Sequence, residues 1–455
     1  MNLSYLLAKR IRSAQTGSFS STIHSVAVGS IAIGLAAAIV SFLIMRGFQS
    51  GVKEKIYGFS NHLLITKFTL NNAVAEQPFD FKIDLYQHPE KFPFVKHIQE
   101  YSHKAGLIKT ENEVMGIVFK GVGKSFNLSA FLENMVDGKF ISFPDSGYSH
   151  DIVISRVIAN KINAKVGDAI ILHFFQNPPR YRKLKIVGIY ETNLSDYFDS
   201  KVILGDIRLV QQLNGWTSNQ AGGLEVLIDF NNFNPFRLWR EDLGAYWASI
   251  GERVINNPEE PHKVARTAAA LWSYKFDFDQ AALDEAQRQL GDAMDYDLNI
   301  ETVRDKYIQV FEWLDLVKRQ VRILLGIILI VVSVNMISVI LILVMERIPM
   351  VGLLKALGAP NKLVRSVFVY NGISLIAQGL LYGNAIGLGL CFLQYRFHFI
   401  QLNAHDYYMS YVPVEWSWVT VISLNLIIFA VVSLVLLLPT RFIARIQPVQ
   451  AIRFD

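Results

Sequence analysis

ILLGIILIVVSVNMISVILILVM, residues Ile323–Met345, is the stretch that decides the fold. It contains no Asp, Glu, Lys or Arg and reaches the roughly 20 residues that cross a ~30 Å hydrocarbon core. A charge at a bilayer centre is costly, so an uncharged run of this length reads as a membrane span. Three further segments behave the same way: Ser25–Met45, Ser366–Tyr395 and Trp416–Pro439. Their spacing is uneven, because the mostly polar residues 47–321 separate the first from the second. The chain therefore reads as a polytopic α-helical membrane protein with four transmembrane helices, 1 + 3, and a large mixed α/β extracytoplasmic domain. The expected spans are 25–46, 322–345, 366–395 and 416–439. A terminal segment (1–24), the inserted domain (47–321), two loops (346–365 and 396–415) and a tail (440–455) make up the rest.

With 51% hydrophobic and 18% charged residues among 455, and a mean hydropathy of +0.28, the composition suits a chain partly in lipid. The net charge of +5 calls for no nucleic acid, because basic residues gather where membrane proteins place them. Residues 1–24 carry Lys9, Arg10 and Arg12 without an acid. Loop 346–365 sets Arg347, Lys355, Lys362 and Arg365 against Glu346, and the tail sets Arg441, Arg445 and Arg453 against Asp455. Loop 396–415 has only Arg396. The positive-inside rule then puts both termini and 346–365 in the cytoplasm, with the insert and 396–415 outside. Arg46, Lys53 and Lys55, and Lys318, Arg319 and Arg322, pull the other way, but the rule weighs short loops most. No A-x-A-like site follows Met45, so the first segment reads as a retained span. The single cysteine, Cys391, lies in span three, so the insert is expected to hold without a disulfide. Leu3, Leu6, Leu7 and Ile11, beside Lys9, Arg10 and Arg12, form either an amphipathic surface helix or a plain basic flank.

Within the insert, Leu63–Thr66, Gly116–Lys120, Asp151–Ser155, Ala169–Phe174, Leu184–Ile189, Val202–Leu204 and Leu224–Asp229 read as strands bounded by turn residues. Arg156–Lys161, Ile207–Leu213, Arg237–Ile255 and Gln280–Met294 read as helices, which together give an α+β or α/β module. Val303, Tyr307, Val310, Leu314, Val317 and Val321 alternate at spacings of four and three behind a Thr302-x-x-Asp305 capping box. No Pro or Gly interrupts before Gly326, so Val303–Met345 is expected to be one helix, about 65 Å long at ~1.5 Å per residue. It is either a stalk that carries motion or a helix packed on its own domain.

Catalytic signatures are missing. Gly121-Val-Gly-Lys-Ser125 looks like the end of a phosphate loop, but a Walker A loop needs Gly at 118, where Val stands. It reads as a Gly-rich turn leaving a strand. There is no H-E-x-x-H, no cysteine pair and no G-x-S-x-G. His398 and His405 share a loop without a ligand pattern, and Glu259–Glu260 reads as a solvated turn. Nothing marks a catalyst or a metal site.

Loop 346–365 begins Glu346-Arg-Ile-Pro-Met-Val-Gly-Leu-Leu-Lys-Ala-Leu-Gly-Ala-Pro360. Pro349 suits a first helical position, Gly358 a left-handed C-cap and Pro360 a stop. The short helix between them, with an apolar face of Met350, Leu353, Leu354 and Leu357, either docks into a groove of a cytoplasmic partner or lies on the membrane. The segment resembles the coupling region of the ABC permease family that contains FtsX, MacB and LolC/LolE. Met345-Glu346-Arg347, Leu353-Leu354-Lys355 and Leu357-Gly358-Ala359 carry the match. The tail Ala444-Arg-Ile-Gln-Pro-Val-Gln-Ala-Ile-Arg453 is similar to that family's ending. Asp151-Ile-Val-Ile-Ser155, Ala159-Asn-Lys and Val166-Gly-Asp168 are similar to its outer-domain unit. Arg46-Gly-Phe-Gln49 and Asn335-Met-Ile-Ser338 look most like the lipoprotein-releasing type.

The resemblance implies a permease subunit of a mechanotransmission-type ABC transporter, not itself an enzyme, extracting lipoproteins from the inner membrane. No cofactor is expected on this chain; ATP and Mg would belong to a separate cytoplasmic ATPase dimer. That partner would be met through Glu346, Arg347, Met350, Leu353, Leu354, Lys355, Leu357 and Gly358. A second permease subunit, identical or homologous, a lipoprotein substrate, a periplasmic carrier and membrane lipids are the other implied partners. MacB-like efflux of drugs or peptides, FtsX-like signalling to a cell-wall hydrolase, and a membrane-anchored sensor with no ATPase stay open as rivals. In the lipoprotein-releasing type, the LolC-like member carries a protruding hook. Here the matching hairpin, Phe174–Lys185, looks short, which points to a hookless LolE-like subunit or another cargo. Gly379, Gly383 and Gly387 form a small-residue face that packs inside the chain or across a dimer. Ile39, Phe42, Leu43, Leu324 and Ile328 form a candidate apolar seam for acyl chains.

Overall fold

The computed structural model describes residues 18–69, 76–109, 114–192, 196–252, 266–267, 276–403, 407 and 409–443. The expected surface helix at 3–12, the tail motif at 444–453, Glu259–Glu260 and His405 lie outside the described residues. Contacts divide the chain into two compact units, Met1–Gly51 with Glu312–Asp455, and Val52–Phe311.

Helix α1 (Ser18–Ser60) carries the first apolar segment. It ends at Asn61, which takes the left-handed conformation (φ 52°) and donates its N–H to the Tyr57 carbonyl at 2.8 Å. The second unit is built on strands β1 (Leu63–Lys67), β2 (Phe79–Asp80), β3 (Val95–Lys109), β4 (Val114–Val122), β5 (Met135–Gly138) and β6 (Asp151–Ser155). Then come helix α2 (Arg156–Lys161), β7 (Ala169–Phe174), β8 (Arg180–Tyr190), β9 (Val202–Asp206) and helix α3 (Ile207–Asn214). They are followed by β10 (Gln220–Ala221), β11 (Gly223–Ile228), helices α4 (Pro235–Ile250) and α5 (Phe278–Ala293), and β12 (Leu298–Thr302). The main sheet runs β12-β1-β11-β3-β4-β9-β6-β8-β5, and β7 bonds to both β3 and β8. That double bonding closes β3, β4, β9, β6, β8 and β7 into a ring and removes open edges there. Ile117, Phe119, Ile154, Leu172 and Ile186 fill one core on this part of the sheet. A second core forms where Leu63, Ile65, Leu224 and Val226 meet Ala282, Leu283, Ala286 and Leu290 on one face of α5.

Each expected strand is present. The longest described strand, β3, carries little apolar alternation and so gives no strand signal in the sequence. Its polar Gln99, Glu100 and Ser102 are buried and bonded inside the unit. The helix expected at Arg237–Ile255 starts earlier, at Pro235, where the Asn234 side chain caps it, and is described to Ile250.

The expected continuous helix Val303–Met345 is broken. Thr302 does cap a turn, accepting from Asp305 N at 3.1 Å, but that turn is only α6 (Val303–Lys306). Tyr307 (φ −111°, ψ 39°) leaves the helical region, and α7 (Ile308–Glu346) starts after it. The Tyr307 ring lies 5.0 Å from that of Phe198, and its hydroxyl lies 3.3 Å from Ser60 Oγ. Tertiary contacts of this one side chain override the heptad pattern.

The first unit contains α7, α8 (Ile348–Ala356), α9 (Asn361–Phe397) and α10 (Trp418–Ile443) beside the first apolar segment of α1. Among the described residues, four helices, α1, α7, α9 and α10, are long and apolar enough to cross a membrane. Leu35, Ile39, Leu43, Val339, Leu375 and Val432 are part of their shared core. Asn384 and Asn425 exchange amide hydrogen bonds at 2.8 and 3.0 Å between α9 and α10. Each also donates to the carbonyl one turn back, on Leu380 and Val421, so neither amide is left unpaired in an apolar setting.

Candidate functional site

Helix α8 forms as its sequence dictates: Pro349 sits in the first turn, and Gly358 takes a left-handed φ of 85°. The expected apolar face is split. Val351 is fully buried in the bundle core and Met350 packs against it, which anchors the helix. Leu353 and Leu357 point outward, 59% and 76% exposed. Leu354, Lys355 and Arg347 are half-buried, and Glu346 and Gly358 are exposed. Two leucines are thereby held out on a capped, anchored helix as a small apolar patch.

The glycine face of α9 lies against α1. A Cβ at Gly379 would stand 2.6 Å from Ile31 Cβ, one at Gly383 2.9 Å from the Ala32 carbonyl, and one at Gly387 3.0 Å from Ala36 Cα. Backbones approach this closely only where side chains are absent. This packing corrects part of the acyl-chain seam. Ile39 and Leu43 are fully buried in the bundle, with Ile39 filling the space beside Gly387. Phe42 and Ile328 are half-buried against the same core, and only Leu324, 40% exposed, faces out. Leu324 joins an outward row on α7 with Ile323, Ile327, Ile330, Val331 and Val334.

Arg46-Gly-Phe-Gln49 ties the far ends of these helices together. Arg46 donates to Glu415 at 3.3 Å and to Thr420 at 3.2 Å, and Gln49 donates to the Leu314 carbonyl at 3.4 Å. A Cβ on Gly47 would stand 2.7 Å from the Pro413 carbonyl, and Glu415 N–H bonds to the Leu43 carbonyl at 3.2 Å. The loop after α9 is itself anchored by buried Gln394, which donates to the Val412 carbonyl at 2.9 Å and accepts from Ile400 N–H at 3.0 Å.

In the second unit, the strands next to α1 and α6 are neighbours: β1 and β12 pair antiparallel, Leu63 opposite Thr302. His62 sits at the head of this ladder. Its N–H bonds to Val226, its carbonyl accepts from Val303 N–H, both at 3.0 Å, and its Nδ1 accepts from Ile228 N–H at 2.9 Å. Burial pushes its pKa down from 6.5 to about 4, against the pull of Asp279. A folded pKa below the unfolded one means the neutral ring is the native form. Stability is then complete above pH 6.5 and falls as pH drops towards 4, by about 3 kcal/mol at ~1.36 kcal/mol per unit. Thermal unfolding of the detergent-solubilised chain should show this decline. His62→Asn, whose Oδ1 can replace Nδ1 as acceptor, should flatten it; an equal decline in the variant would place the effect elsewhere.

The sequence pattern of the MacB-like periplasmic core domain matches residues 25–229, and that of the FtsX-like permease C-terminal domain matches residues 322–448. The chain belongs to the FtsX- and MacB-like ABC permease family. Among relatives of this permease, the lipoprotein-releasing system transmembrane protein LolC of Neisseria meningitidis is 20% identical over 100% of this chain and 98% of its own length. LolE of Haemophilus influenzae is 20% identical over 93% of this chain and 92% of its own. Among solved structures, the periplasmic region of MacB from Actinobacillus actinomycetemcomitans is 13% identical, with a TM-score of 0.31, over 57% of this chain and 97% of that one. In this permease the β7–β8 hairpin closes with Phe174 opposite Arg180, so residues 175–179 make the whole turn. The sequence signalled α8 and the glycine face. It did not signal His62 itself, which belongs to no motif, nor the pairing of β1 with β12.

Proposed function

We propose that this permease is the membrane subunit of a mechanotransmission-type ABC transporter that extracts lipoproteins from the inner membrane for transfer towards the outer membrane. The observation that carries the reading is similarity to LolC and LolE along nearly the whole chain. In this reading both termini and α8 face the cytoplasm and the sheet unit lies outside, supported by the basic residues of 1–24, 346–365 and 440–455. An ATPase dimer, which holds ATP and Mg, docks on Leu353 and Leu357, with Glu346, Arg347, Met350, Leu354, Lys355 and Gly358 shaping the contact. A second permease, identical or homologous, completes the transporter, and acyl chains lie along the outward row of α7 that includes Leu324. The short β7–β8 turn favours a LolE-like place, beside a hook-bearing partner that recruits the periplasmic carrier.

Reconstitution with the ATPase tests this. Acylated lipoprotein should leave liposomes only when ATP is hydrolysed, and a non-acylated form should not stimulate turnover. Turnover driven by a drug or peptide, with lipoprotein retained, would assign the MacB-like reading instead.

A further inference from the structure

Lys120, on β4, is 1% exposed at its side chain, and nothing in the transport reading uses it. Its Nζ donates to the Phe59 carbonyl at 2.7 Å and to Glu225 Oε1 at 2.6 Å, and stands 4.6 Å from the centre of the Phe59 ring. Glu225, on β11 and 2% exposed, accepts a second bond from Gln99 Nε2 at 2.6 Å, and Gln99 Oε1 accepts from Asn127 N–H at 2.8 Å. Every member of this network is satisfied. The Phe59 carbonyl belongs to the last turn of α1, where carbonyls have no partner within the helix and a cation is favoured. A buried ion pair is a poor source of stability, because desolvation offsets the attraction. It is a good source of direction: a cation bonded to both groups fixes the Phe59 carbonyl relative to β4 and β11.

We propose that Lys120 is a positioning residue that fastens the end of α1 to the sheet, so that displacement of α1 reaches β4 and β11 instead of being lost in a loose joint. The coupling role rests on the transport reading above; the fastening does not.

The test uses the whole permease reconstituted with its ATPase. K120M/E225L removes both charges together, so no bare ion stays buried. K120R keeps the cation, and a cavity of about 240 Å³ lined by Phe59, Lys120, Glu225 and Tyr307 leaves room for the guanidinium. In K120M/E225L, amide exchange at residues 55–60 should rise about tenfold. ATP-driven lipoprotein release should fall about tenfold while lipoprotein-free ATP hydrolysis stays within about twofold. K120R should restore both exchange and release. Unchanged exchange would overturn the fastening. Faster exchange with normal release would overturn the coupling role, and so would a parallel loss of hydrolysis and release. A wild-type complex that releases no lipoprotein would refute the transport reading, while the exchange comparison would still decide the fastening.

Discussion

Glu in place of both Leu353 and Leu357 should abolish co-purification of the permease with an ATPase while leaving the chain in the membrane. Both side chains already face out, 59% and 76% exposed, so the exchange leaves the bundle core untouched. Helix α8 stays anchored through Val351 and Met350. Burying two leucines in a partner groove contributes about 3–6 kcal/mol together, a hundred- to ten-thousandfold in affinity. Two buried carboxylates would add a desolvation cost on top of that loss. Affinity capture from detergent extracts reads the result. An ATPase retained at wild-type yield would leave α8 as a membrane-surface helix and remove the coupling assignment. Val351→Glu is the opposite control: it places a charge in the bundle core and should destabilise the chain whether or not an ATPase is present.

The legible parts of this molecule are those where a local rule has no competitor. Absence of charge marked the spans, and Pro349 and Gly358 marked the ends of α8, because each acts through backbone chemistry at its own position. The strands rich in Val, Ile and Phe were readable for the same reason. β3 was not, because Gln99, Glu100 and Ser102 are buried by partners distant in sequence. Ring closure by β7 depends on pairing Phe174 with Gly106, a register that no periodicity encodes. Tyr307 fits a heptad position and still breaks the helix, because its ring and hydroxyl are held from outside. Ile39 and Leu43 show a limit specific to lipid. Apolar residues face either lipid or protein there, so composition does not separate a seam from a core. The decider was the opposite helix, where Gly387 makes room for Ile39.

Gly383→Leu should therefore be far more damaging than replacement of a glycine with open space beside it on the same helix. Its Cβ would sit 2.9 Å from the Ala32 carbonyl and 2.9 Å from Leu35 Cβ, and the carbonyl belongs to helix backbone that cannot rotate away. Overpacking of this kind costs about 1–3 kcal/mol for the first displaced carbon, and the rest of a leucine has no room at all. The outcome is α9 lifted off α1, lower resistance to denaturant and loss of ATP-driven release. Gly389→Leu supplies the matched control, since nothing lies within 4 Å of a Cβ there. There the exchange gains helix propensity, up to about 1 kcal/mol, without a clash. Unfolding in mixed micelles should separate the two variants clearly. Equal stability of the two, with a change only in the oligomeric state of the Gly383 variant, would move the glycine face to a contact between subunits.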